Sequence, residues 1–367
     1  LAELALPAHD VARVRFAVSP LWQLTTSYRL LASGAADPVH RRWLDQVRPR
    51  TAAAGLDRRL LAELLPPGAG YVPDFLNPAP ATPAPTLDEE LAALAATPAE
   101  RIRADLDHLR HHQGRTGPRT RALHADPPAQ LPRLVREIAA YWETVLAPYW
   151  PRIRALLDAD VFHRAGQAAR HGTGHLLNSL HPQVSWGDAG LHLERRARTL
   201  ARHATGSGLL LVPSAFKGSG LSTRIAPPDP PQLAYRARGT GDLWQPRTAP
   251  AADALAAVLG RARTLLLAEL DTPATTTELA ARTGLSPAHV SQNLTALRAA
   301  GFATAHRTGR TVLYARTAVA ETLLTEVPPT ARPPTATPLT ESPLTERPPP
   351  PAADSDRGRG GGPPRGQ

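Results

Sequence analysis

Apolar residues recur along this chain with two different periods, and the change of period divides it. From Thr86 to Phe162 the spacing is helical. Thr86-Leu87-Asp88-Glu89 has the order of a capping box, in which hydroxyl and carboxylate satisfy each other's backbone N–H groups. Leu87, Leu91 and Leu94 then follow at helical intervals. A second helical stretch runs from about Leu131 through Tyr141 and Trp142 to Phe162; Pro148 and Pro151, which have no N–H to donate, predict a kink or break inside it. From Gln183 the pattern changes: QVSWGDAGLHL reads as two short strands about a Gly-Asp turn, and Gly208-Leu-Leu-Leu-Val212 as a buried strand. Asn77 to Pro85, NPAPATPAP, reads as an exposed loop or linker. Residues 1–245 are thus expected to be mainly helical first and β-rich later.

Helical spacing returns at 251–270, where Leu255, Val258, Leu259, Leu265, Leu266 and Leu270 fit two short helices or one bent at Gly260. Thr275-Thr276-Thr277-Glu278 is a second capping box, and Gly284 is placed to end its helix in the left-handed conformation. Ser286 is a fitting N-cap and Pro287 a fitting first residue for the next helix. There Val290, Leu294 and Leu297 form one inward stripe, which turns Ala288, Ser291, Gln292 and Thr295 toward the opposite, exposed side. Gly301 closes that helix, and Phe302 to Arg316 reads as a β-hairpin about a Thr308-Gly309 turn. Between Arg298 and Arg316 there are arginines at 298, 307, 310 and 316 and no acidic residue. Two short helices joined by a glycine-containing turn make a helix-turn-helix, whose second helix enters the major groove of DNA; a basic hairpin after it makes the wing.

Past Val327 the chain is PPTARPPTATPLTESPLTERPPPP and then DRGRGGGPPRGQ, too rich in proline and too poor in apolar residues to offset the entropy of ordering. Residues 327–367 are read as a disordered tail. The expected organisation is α+β: a mainly helical N-terminal region with a small β-rich part (1–245), a winged helix-turn-helix (251–326), and the tail.

Composition changes this picture little. Apolar residues make up 42% of the 367, enough for more than one core. The net charge of +10 is almost wholly arginine, since Lys217 is the only lysine. Guanidinium suits phosphate, but GC-rich coding also yields arginine, so charge alone only nudges toward an anionic partner. The absence of cysteine excludes disulfides, thiolate metal sites and cysteine nucleophiles. With no basic segment leading into an apolar one at the start, and no apolar run of ~18 residues, a soluble, cytoplasmic, nucleoid-associated protein is expected.

Residues 275–316, TTTELAARTGLSPAHVSQNLTALRAAGFATAHRTGRTVLYAR, resemble the winged helix of the ArsR family of bacterial repressors, with its S-x-x-x-V-S-x-x-L-x-x-L-R-x-A-G segment and R-x-G-R wing. The resemblance implies a homodimer that occludes a promoter until an effector binds. Metal-sensing members carry a cysteine motif in the helix matching Thr276 to Ala281, and Asn293 stands where histidine is usual; sensing of a soft metal is not expected. RVRFAVSPLW (13–22), YVPDFLNP (71–78), YWETVLAPYWPRIRALLDADV (141–161) and GLLLVPSAF (208–216) resemble an uncharacterised domain that precedes such winged helices. That domain brings no activity with it.

The expected DNA contacts are Ser286, His289, Ser291, Gln292, Thr295 and Arg298 on or beside the reading helix, and Arg307 and Arg310 on the wing. Gln292 is the candidate for direct readout, because an amide both donates to and accepts from adenine. The helices near Leu255 to Leu266 and Val319 to Leu324 are the suspected dimer surface by resemblance. No metal, cofactor or catalytic residue is expected. His108, His111 and His112 crowd one helical end, and His171 and His175 stand four apart across Gly172 and Gly174, but zinc needs three or four converging ligands. No nucleophile elbow or phosphate-binding loop is present. Tyr141, Trp142, Tyr149 and Trp150 suit core packing around the kink better than an effector pocket. Two other readings stay open: an enzyme whose catalytic N-terminal domain is governed by an autoregulatory winged helix, and a winged helix that binds protein.

Overall fold

Ser19 opens the first long helix by accepting the Trp22 N–H at 3.1 Å, and Pro20 supplies the preset φ of its first residue. In this computed structural model residues 2–4, 13–35, 37–68, 70–187, 190–193, 207–244, 252–308 and 311–325 are described. In chain order the elements are β1 (Ala2–Leu4), β2 (Val14–Phe16), α1 (Pro20–Ala32), α2 (Arg41–Ala53), α3 (Arg59–Leu64), α4 (Leu87–Ala95), α5 (Ala99–Gln113), α6 (Pro118–Ala125), α7 (Pro127–Tyr141), α8 (Trp150–His171) and α9 (Thr173–Leu180). There follow β3 (Val184–Gly187), β4 (Gly190–Leu193), β5 (Leu209–Ser214), β6 (Ser222–Arg224) and β7 (Gln232–Arg236). Last come α10 (Ala252–Leu259), α11 (Arg261–Glu269), α12 (Thr276–Thr283), α13 (Pro287–Ala299), β8 (Ala303–Thr308), β9 (Thr311–Arg316) and α14 (Ala318–Thr325). The fold is α+β with a mainly helical N-terminal region. All the described residues fall in one compact unit, Leu1–Val327; the proline-rich tail lies outside them.

The capping box at Thr86 forms as read, and the proline-broken helix resolves into α7, a π-helical turn at Trp142–Leu146, a 3-10 turn at Ala147–Tyr149, and α8. Tyr141, Trp142 and Tyr149 are buried in the main core around that break. Several helix starts in this body are satisfied by carboxylates from distant helices. Glu90 accepts from Leu21 N–H at 2.7 Å, Glu137 from Leu60 and Leu61 N–H at 3.0 and 3.1 Å, and Glu63 from Thr120 N–H at 2.7 Å. Each carboxylate meets orphan N–H groups at the positive end of a helix dipole.

The β region does not belong to one stretch of sequence. β2 pairs in parallel with β5, Val14 opposite Leu209, inside a four-stranded sheet of order β2-β5-β7-β6, and β1 joins β4 and β3 in a second sheet. A helical-then-β order along the chain therefore misses that its first strands complete sheets built much later. Every residue of β5 is buried, as its unbroken apolar run requires. The proline-rich loop at 77–85 also departs from expectation. Only residues 81–84 are exposed, while Asn77 accepts at its carbonyl from Gln232 and at its side chain from Thr25, at 3.0 and 3.1 Å.

Among the described residues no helix is long and apolar enough to cross a membrane, and no three His, Asp or Glu side chains gather around a point a metal ion would fill. Gly172, at φ 84°, breaks the helix between His171 and His175.

Candidate nucleic-acid interface

The C-terminal module has its own apolar core: Leu266, Leu267 and Leu270 of the scaffold helix, Leu279 of α12, Val290, Leu294 and Leu297 of α13, and Ala320 and Leu324 of α14. The three α13 residues are almost wholly removed from water, roughly 1.5–3 kcal/mol each. Their stripe fixes which way α13 faces.

Local chemistry sets the angle between α12 and α13. Thr275 Oγ1 accepts the Glu278 N–H at 3.1 Å, and Glu278 returns a carboxylate to the Thr275 N–H at 2.7 Å. Gly284 ends α12 at φ 72°, and Ser286 restarts the chain by accepting the His289 N–H at 3.3 Å. Gly260, at φ 85°, separates α10 from α11, so the two-helix alternative holds.

Ser286, His289, Ser291, Gln292, Thr295 and Arg298 are all exposed, with Ala288 beside them. Thr295 donates its hydroxyl to the Ser291 carbonyl at 2.9 Å, which leaves that hydroxyl only acceptor capacity; the side chains of Ser291 and Gln292 are exposed to solvent. Asn293 is buried and donates to the His289 carbonyl at 2.9 Å, so it braces the helix instead of reading.

β8 and β9 pair from Ala303 with Arg316 to Thr308 with Thr311. Thr308 is therefore the last paired residue of β8, opposite Thr311, and not part of the turn; Gly309 lies outside the described residues. Arg310 lies outside the described residues; Arg307 is exposed at the end of β8. Arg316 corrects the count of basic wing residues. It is 3% exposed, donates to the carbonyls of Leu267 and Ala268, and sits 3.6 Å from Glu321. It fastens the wing to the scaffold and offers nothing to a phosphate. The segment stays basic all the same, for no Asp or Glu occurs from Leu279 to Ala320, while Arg282, Arg298, Arg307 and Arg310 do.

One arginine was missed by sequence reasoning. Arg282 near the end of α12 donates to the Glu269 carbonyl and to Thr272 Oγ1, both at 3.4 Å, which ties the first helix of the pair to the scaffold. Its place in the last turn of the helix was the available signal.

The family model for bacterial regulatory proteins of the arsR family matches residues 264–305, from within α11 to the start of β8. The helix-turn-helix of this chain is of that type. No curated protein matches the chain, and no solved structure does.

Proposed function

We propose that this protein is a sequence-specific DNA-binding transcriptional regulator, working as a repressor that an effector of unknown chemistry releases. One observation carries the reading: the ArsR-type helix-turn-helix at 264–305 turns Ser291 and Gln292 to solvent from a helix whose other face is locked in its core. In this reading α13 enters the major groove and Gln292 pairs with adenine, helped by Ser291, His289 and Thr295. Arg298, Arg307 and Arg310 neutralise phosphates or enter a narrow minor groove. The N-terminal body serves as sensor.

A homodimer places two reading helices about one DNA turn, ~34 Å, apart on a near-palindromic site. The apolar side chains that α10, α11 and α14 leave uncovered support a partner there: Val258 of α10 is 81% exposed and Val319 of α14 58%, and Leu265 of α11 and Leu323 of α14 are exposed as well.

The test is selection of bound duplexes from a random library by the full chain, followed by affinity against salt concentration. Enrichment of one near-palindromic sequence, with a log–log salt slope of several units, is the expected result. No enrichment and no salt dependence would sink the reading.

A further inference from the structure

Three arginines of the N-terminal body converge on one turn of the winged helix. The turn, residues 271–273, follows α11 and runs directly into Ala274, which pairs with Tyr314 of the wing, and Thr275, which caps α12. Whatever holds this turn holds both halves of the reader.

Arg152 of α8, itself buried, donates to the Asp271 carbonyl at 2.8 Å. Arg50 of α2 uses both arms of its guanidinium: one donates to the Pro273 carbonyl at 2.8 Å, the other to the Tyr149 hydroxyl at 2.8 Å. That hydroxyl in turn donates a hydrogen bond to Gln46 Oε1 at 2.8 Å, so the fork is braced from behind. Arg42 adds a contact 3.5 Å from the Asp271 carboxylate and donates to the Trp244 carbonyl at 3.2 Å. Carbonyls just past a helix C-terminus carry partial negative charge, and a rigid cationic fork is the side chain best shaped to hold two acceptors at once. A second contact lies close by. β8 and β9 pack on the turns at 142–149, where His306 stands 3.9 Å from Glu143. None of these arginines lies on α13 or the wing.

We propose that Arg50 and Arg152 are positioning residues for DNA recognition: by fixing the 271–273 turn to the N-terminal body they set the orientation of α13, and hence the half-site spacing two copies accept. The inference rests on the reading of the chain as a dimeric DNA-binding regulator. It also gives the N-terminal body a route to the operator, since a change in α2 or α8 moves the turn that carries the reader. A flexible tether between the two parts would tolerate many spacings; a turn gripped by the buried Arg152 and the half-buried fork of Arg50 tolerates few.

The experiment uses the full chain, wild type and Arg50→Ala/Arg152→Ala, in parallel selections from a random duplex library, with sequencing of the bound pools. The wild type is expected to enrich half-sites at one spacing. The double variant is expected to enrich the same half-site spread over several spacings, to bind the wild-type operator about tenfold more weakly, and to bind a single half-site duplex equally well, because only simultaneous engagement is impaired. Arg50→Lys, which keeps charge without the fork, is expected to broaden the spacing less, and it replaces the double variant if that chain fails to fold by circular dichroism. An unchanged spacing distribution, or a change confined to base preference within the half-site, overturns the proposal. If the wild type enriches no sequence, the regulator reading falls and takes the proposal with it.

Discussion

Arg316 places its guanidinium 3.6 Å from the Glu321 carboxylate, with both side chains almost wholly buried. The pair, together with the Leu267 and Ala268 carbonyls that Arg316 also engages, joins strand β9 to the helices on either side of it. Removing the guanidinium takes the ion-pair partner away from a buried carboxylate. Arg316→Ala is therefore expected to lower stability by about 3 kcal/mol, read as a shift in the urea midpoint. Arg298→Ala, on an exposed position, is expected to stay within about 0.5 kcal/mol. A midpoint for Arg316→Ala equal to wild type, with a changed salt slope of DNA binding, would return Arg316 to the surface of the wing.

On the DNA side, the exposed amide and the wing arginines are expected to have separable effects. Gln292→Ala is expected to relax preference at one base position, at about 1–3 kcal/mol of lost discrimination. Arg307→Ala and Arg310→Ala are expected to weaken all duplexes similarly and to reduce the salt slope by about 1 each. Affinity measured on the selected operator and on a scrambled duplex, at several salt concentrations, distinguishes them. If Arg310→Ala changed neither affinity nor slope, the wing would not be touching DNA.

What could be read from sequence was whatever neighbours in the chain decide. Both capping boxes, the left-handed stop at Gly284, the break forced by Pro148 and Pro151, and the inward stripe of α13 depend on residues within a turn or two of each other. What escaped depends on partners far away. Arg316 looked like a basic wing residue because the carbonyls that bury it belong to α11. Asn77 looked like part of an exposed proline loop because Thr25 and Gln232, which hold it, come from α1 and β7. The grip of Arg50 and Arg152 on the 271–273 turn left no periodic trace at all, since one guanidinium among many carries no address. The exposed candidates on α13 were legible for the converse reason: a buried stripe determines its opposite face.

Gly284 offers a test of the turn itself. Its φ of 72° lies in the left-handed region, and a Cβ added there would meet nothing. Gly284→Ala therefore isolates the conformational cost, roughly 1 kcal/mol, without a steric clash. Thermal denaturation should show a small loss of stability while the operator preference of the folded protein is kept. A loss of several kcal/mol would mean that the turn is held against something not captured by its backbone angle.

The N-terminal body carries a buried acid whose titration is measurable. Glu90 is 2% exposed, and burial pushes its pKa up to about 7 from an ordinary 4.5. The folded state then holds more protons than the unfolded between those values, so Glu90 makes stability fall as pH rises from about 4.5 to about 7. His40 acts the other way. Buried, with its Nδ1 accepting from the Trp244 indole at 2.8 Å, it has a pKa lowered to about 4, and it makes stability rise from there to its ordinary 6.5. The two slopes oppose each other over most of the window. Glu90→Gln keeps an acceptor for the Leu21 N–H and removes one of them. The variant is expected to gain stability with pH from about 4 to 6.5, where the wild type stays nearly flat, and to exceed the wild type at pH 8 by on the order of 3 kcal/mol. Urea midpoints measured at half-unit steps from pH 4 to 8 read this directly, and parallel curves for the two proteins would mean that folding leaves the titration of Glu90 unchanged.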